Sequence, residues 1–75
     1  MSFKLPSLKP RDVIRILREL GFVEERQKGI HKVFVRGADY KVIIVPFHSK
    51  DLKRGTLRSI IKKTGLSVEK FLKCL

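Results

Sequence analysis

A chain of 75 residues has room for one domain and one modest core, which excludes a separate cofactor or substrate domain and puts any active site on the surface. A composition of 43% hydrophobic residues with five glycines and three prolines excludes a disordered or fibrous chain. Eighteen Lys and Arg against seven Asp and Glu leave a formal charge of +11, a field that draws polyanions: nucleic acid first, an anionic membrane surface second, with a merely soluble charged surface as the bland alternative.

From Pro10 to Leu20 the apolar residues Val13, Ile14, Ile16, Leu17 and Leu20 recur at spacings of three and four, and Arg11, Arg15, Arg18 and Glu19 fill the other positions. This is an amphipathic helix. Pro10 suits its first turn and Gly21 its stop. Phe22 to Arg26, Ile30 to Arg36 and Tyr40 to Pro46 are short segments rich in Val, Ile and aromatic residues, separated by Gln27-Lys28-Gly29 and Gly37-Ala38-Asp39. They predict a three-stranded antiparallel meander, with Pro46 ending the last strand or lying at an edge. Thr56 to Thr64 carries a second helical stripe, Leu57, Ile60, Ile61 and Thr64, stopped by Gly65. Ser67 then caps a short third helix bearing Val68, Phe71, Leu72 and Leu75. The expected fold is α+β, in the order αβββα: a three-stranded antiparallel sheet with helices on one face plus a short C-terminal helix, in one domain over residues 1–75.

The single cysteine, Cys74, excludes an internal disulfide, and with only two histidines the usual zinc frameworks are excluded too. No metal and no cofactor is expected. The longest apolar run, Val42 to Phe47, falls far short of a membrane span or a signal-peptide core, so a cytoplasmic location without membrane association is expected.

The element order resembles double-stranded RNA-binding domains, in which basic residues around the start of the second main helix contact phosphates. Lys50, Lys53, Arg54 and Arg58 occupy that region, where free helix N–H groups and adjacent cations favour the same anion. A charge run beside a helix is otherwise an ordinary solvated face.

The second half of the chain carries a more specific pattern. Pro46-Phe47-His48 is followed by Leu52-Lys53-Arg54-Gly55-Thr56-Leu57-Arg58-Ser59-Ile60 and then by Gly65-Leu66-Ser67. These blocks, with the Leu20-Gly21-Phe22 helix ending and the Gly29-Ile30-His31 element, resemble the HicA toxin family over nearly the whole chain. The resemblance implies a metal-independent endoribonuclease that cuts mRNA, held in check by a HicB-like antitoxin. It also implies a catalytic histidine in a Gly-Ser-His element, which here falls on His31, with Ile30 in place of the serine.

RNA cleavage requires a base for the 2′-hydroxyl proton and cations for the phosphate. Histidine titrates near neutrality, and Lys28 and Lys32 beside His31 would favour its uncharged, proton-accepting form and hold the phosphate. Gly29 would permit the tight turn that brings RNA backbone close. His48, Gly55 and Thr56 are expected to shape the backbone near the site, with His48, a lysine or water as proton donor. Without the resemblance, a lone strand histidine is more often held by a structural hydrogen bond. A non-catalytic module for structured RNA and a DNA-binding regulator are the alternative functions.

Overall fold

The computed structural model describes residues 5–75 and has the expected element order. Helix α1 (Pro10–Glu19) is followed by strands β1 (Val23–Lys28), β2 (His31–Arg36) and β3 (Lys41–Pro46), then by α2 (Arg54–Thr64) and α3 (Val68–Leu72). The sheet is antiparallel with order β1-β2-β3. Phe34 on β2 and Ile43 and Val45 on β3 are fully buried in one cluster with Val13 and Leu17 of α1, Leu57 and Ile61 of α2 and Phe71 of α3. All helices therefore pack on one face of the sheet, and the other face is left open.

Both ends of α1 are fixed by local chemistry. Pro10 stands at its start, where a missing N–H costs nothing, and the Asp12 carboxylate accepts the Lys9 backbone N–H at 3.1 Å. At its end the Phe22 N–H donates to the Leu17 carbonyl at 2.9 Å and the Gly21 N–H to that of Arg18 at 3.1 Å. Gly21 takes φ +92° to allow this closure.

Most boundaries shift by a residue or two from the sequence reading, and two of the shifts bear on the site. The first hairpin turns at Gly29-Ile30 rather than at Gln27-Lys28-Gly29, because Lys28 pairs with His31 and closes the ladder. Gly29 has φ +58°, the conformation a two-residue hairpin turn needs at its first central position. Helix α2 starts at Arg54, two residues early, so Gly55 lies in its first turn. There the glycine's poor helix propensity matters least, since first-turn N–H groups have no helical partner to lose.

Arg36 clasps the far end of the sheet to α1. Its Nε and one terminal nitrogen donate to the two Asp39 oxygens at 2.9 and 2.8 Å, and the other nitrogen donates to the Leu20 carbonyl at 2.8 Å. The guanidinium also lies 4.5 Å above the Phe22 ring. The hydrogen bond from Arg36, aided by its charge and that of Lys41, holds the Asp39 carboxyl below its ordinary range.

Arg36→Ala is expected to lower stability by about 1–2 kcal/mol, read as the urea midpoint at neutral pH. A carboxyl with a depressed folded-state pKa stabilises above its ordinary value, about 3.9, and ceases to as pH falls through the folded value. Asp39→Asn is therefore expected to be less stable than wild type at pH 7, with the gap closing below about pH 4.

Candidate functional site

His31 opens the central strand and is exposed. Successive side chains of a strand point to opposite faces, so the burial of Phe34 under the helices sends Lys32 and Phe34 inward and His31 and Val33 outward. Val33 is only 8% exposed yet lies outside the core cluster. Its neighbours on the open face cover it.

His31 pairs with Lys28 on one side and Pro46 on the other. The Phe47 N–H donates to the Ile30 carbonyl at 2.5 Å, which makes His31 and Pro46 a non-hydrogen-bonded pair. Proline is tolerated there because its missing N–H has no partner to satisfy, and β3 is an edge strand.

A β-bulge supplies the second cation of this face. Glu24 pairs with Phe34 but Arg26 pairs with Val33, so Glu25 is the extra residue. Without it, Arg26 would stand opposite Lys32 on the helix side. With it, Arg26 and Lys28 both share the open face with His31. Arg26, Lys28, His31, Val33 and Ile44 line a shallow depression of about 370 Å³. The arrangement puts an imidazole beside two cations of the neighbouring strand on a solvent-open floor.

Lys32 is not part of it. Its ammonium lies on the helix side, 3.2 Å from a Glu24 oxygen and 4.6 Å above the Phe47 ring. Adjacency in sequence misplaces it because neighbours on a strand face apart. Ile30, where the resemblance implies a serine, is half-exposed in the turn.

Lys50, Lys53 and Arg54 are exposed before and at the start of α2. Lys53 at the cap position makes no side-chain cap bond and the first turn holds no acid. The terminal N–H groups thus face a cationic neighbourhood, the electrostatics of an anion site. Gly55 and Thr56 belong to that first turn, and nothing lies within 4 Å of where a Gly55 Cβ would stand. Arg58 is one turn further on, beside the depression between α2 and α3.

His48 lines a different depression from His31, with Lys9, Arg11, Phe47 and Ser49. Arg11 and Phe47 also line a neighbouring groove of about 560 Å³ with Arg15, Arg18, Ile14, Glu19 and Lys32. The sequence shows these arginines only as the polar side of a helix, and Arg26 only as one of several strand charges. Among the described residues no group of three or more His, Cys, Asp or Glu side chains could hold a metal ion, and no helix is long and apolar enough to cross a membrane.

Comparison with known families places this geometry. Residues 10–66 match the model of the family described as HicA toxin of bacterial toxin-antitoxin. Comparison with curated proteins returns no match. The matched span runs from the first residue of α1 past the end of α2 and contains the sheet, the Gly29 turn and His31. Covering about three-quarters of the chain, it establishes that this protein belongs to the HicA toxin family, toxins of bacterial toxin-antitoxin systems with a cognate antitoxin as partner.

Proposed function

We propose that the protein is a metal-independent endoribonuclease of the bacterial cytoplasm that cuts mRNA, with His31 as its catalytic residue. The observation that carries this reading is the exposed His31 on the open face of the sheet, directly across from Lys28 and sharing one depression with the bulge-delivered Arg26. In the proposed step His31 takes the proton of a ribose 2′-hydroxyl. The freed oxygen attacks the adjacent phosphorus, the bond to the 5′-oxygen breaks, and the products are a 2′,3′-cyclic phosphate and a 5′-hydroxyl. Lys28 and Arg26 hold the phosphate charge as it builds. The departing 5′-oxygen takes its proton from a second donor: water, a lysine or His48.

The first turn of α2 with Lys50, Lys53 and Arg54 supplies a further phosphate contact, and Arg58 extends it along the helix. Its uncapped N–H groups support that role. The antitoxin is proposed to be HicB-like, to carry an acidic patch and to cover His31, since complementary charge speeds and orients docking on a basic face.

The test is expression of wild type, His31→Ala and His31→Gln from an inducible plasmid, together with cleavage of labelled RNA in EDTA. Wild type is expected to arrest growth and cleave with the metal removed. The two variants should cleave about 10² to 10⁴ times more slowly. Equal cleavage by all three would remove His31 from the mechanism, and wild type that binds RNA but leaves it intact would mean a non-catalytic RNA-binding module. Lys53→Ala and Arg54→Ala are each expected to weaken RNA binding and to reduce the slope of log K against log salt by about one unit, with little effect on the cleavage rate of saturated enzyme.

A further inference from the structure

We propose that an unpaired stretch of RNA next to the cut lies in the groove between α1 and the loop after β3, with one base stacked on Phe47 and its phosphates on Arg11 and Arg15. The inference rests on the RNA reading of the open face and adds a subsite on the opposite side of the sheet.

Phe47 is 40% exposed, an unfavourable position for a phenyl ring unless it meets something. It is nevertheless held in place. Its N–H is bonded to the Ile30 carbonyl, and the Lys32 ammonium sits 4.6 Å from the ring centroid, itself anchored by Glu24. A fixed aromatic ring on a cationic floor is what unpaired bases stack on, whatever their identity.

The cations beside it outnumber Glu19, the one carboxylate-bearing residue that lines the groove with them. Among the described residues no carboxylate lies within ion-pairing distance of Lys9, Arg11 or Arg15, and Arg18 reaches Glu24 only at 3.9 Å. Arg11 and Arg15 are one helical turn apart, about 6 Å along the axis, where like charges repel. A phosphate chain running along α1 relieves that repulsion. The two depressions that meet at Phe47 and Arg11, about 560 and 360 Å³, give the groove room for a nucleotide on either side of the ring. A duplex keeps its bases stacked on one another and offers none to Phe47, so the occupant is single-stranded.

The groove leads to His31. Phe47 follows Pro46, the direct partner of His31, and is bonded to Ile30, which precedes it. Ile30 and Phe47 thus form a rim at one end of the sheet. A strand crossing that rim passes from the arginine groove to the imidazole.

The chain has no tryptophan, so Phe47→Trp introduces a single reporter. Binding is measured with a labelled, uniformly 2′-O-methylated single strand, which cannot be cut, and with a duplex of the same length. Phe47→Trp should keep wild-type affinity for the single strand and show fluorescence quenching on binding. Phe47→Leu should lose roughly five- to hundredfold for the single strand and nothing for the duplex. The Arg11→Gln, Arg15→Gln double variant should reduce the salt slope for the single strand. Unchanged single-strand affinity in both Phe47→Leu and the double variant, with wild type still binding and cutting RNA, would overturn the subsite and leave the nuclease reading intact. Equal losses for single strand and duplex, or a Phe47→Trp fluorescence indifferent to RNA, would overturn the stacking. Phe47→Leu that weakens only antitoxin binding would reassign the groove to protein. Wild type that binds neither RNA would sink the nuclease reading and the subsite together.

Discussion

Phe34 has no exposed surface, and the orientation of the site follows from that burial. A strand presents alternate side chains to alternate faces, so one fully buried residue on β2 determines where every other residue of that strand points. His31 is three positions away and must face outward. A one-residue slip of β2 would turn Phe34 out to water and His31 in. Exposing that side chain would forfeit about 1.5–3 kcal/mol, and the imidazole would turn toward the helix side without a partner. The core thus enforces the exposure of His31.

That geometric rule explains which parts of the molecule are legible in the sequence. Helix α1 is readable because its apolar spacing, Pro10 and Gly21 are local signals that tertiary packing does not override. The meander is readable from its β-branched and aromatic runs. The turn at Gly29-Ile30 is harder, since Gln, Lys and Gly all suit turns and only the pairing of Lys28 with His31 decides between them. At the site, Gly29 and His31 stand out through their shared element, and Lys28 through nearness that the hairpin happens to preserve. Lys32 is equally near in sequence and faces the other way. Arg26 is invisible because Glu24 to Lys28 is polar on both faces, leaving no alternation from which a bulge at Glu25 could be inferred.

The distribution of the few carboxylates has a pattern of its own. Asp39 binds Arg36, Glu24 binds Lys32, and Asp12 takes a backbone N–H at the start of α1. These acids neutralise or cap groups that hold the fold together: Arg36 ties the β2–β3 turn to α1, and Lys32 braces Phe47. Among the described residues, the cations left without an ion pair include Arg26 and Lys28 on the open face, Arg11 and Arg15 on α1, and Lys53 and Arg54 at α2. Self-repulsion among them is a standing cost to the folded state, and any bound polyanion lowers it.

On the proposed reading two polyanions then compete for the same field, RNA and an acidic antitoxin. Either one stabilises the folded toxin in proportion to its own concentration over its dissociation constant. An antitoxin that met only the diffuse charge would be displaced as RNA concentration rose, because the electrostatic component of both affinities responds alike to salt and to phosphate. Durable inhibition needs contacts that RNA cannot copy. The open face provides them: Val23, Val42 and Ile44 are each half-exposed or more on the same side of the sheet as His31, an apolar floor that phosphate has no affinity for. An inhibitor that buries this floor gains free energy independent of ionic strength and covers the imidazole in the same act. Because the apolar floor and His31 share one side of the sheet, blocking the chemistry and outcompeting the substrate become a single binding event.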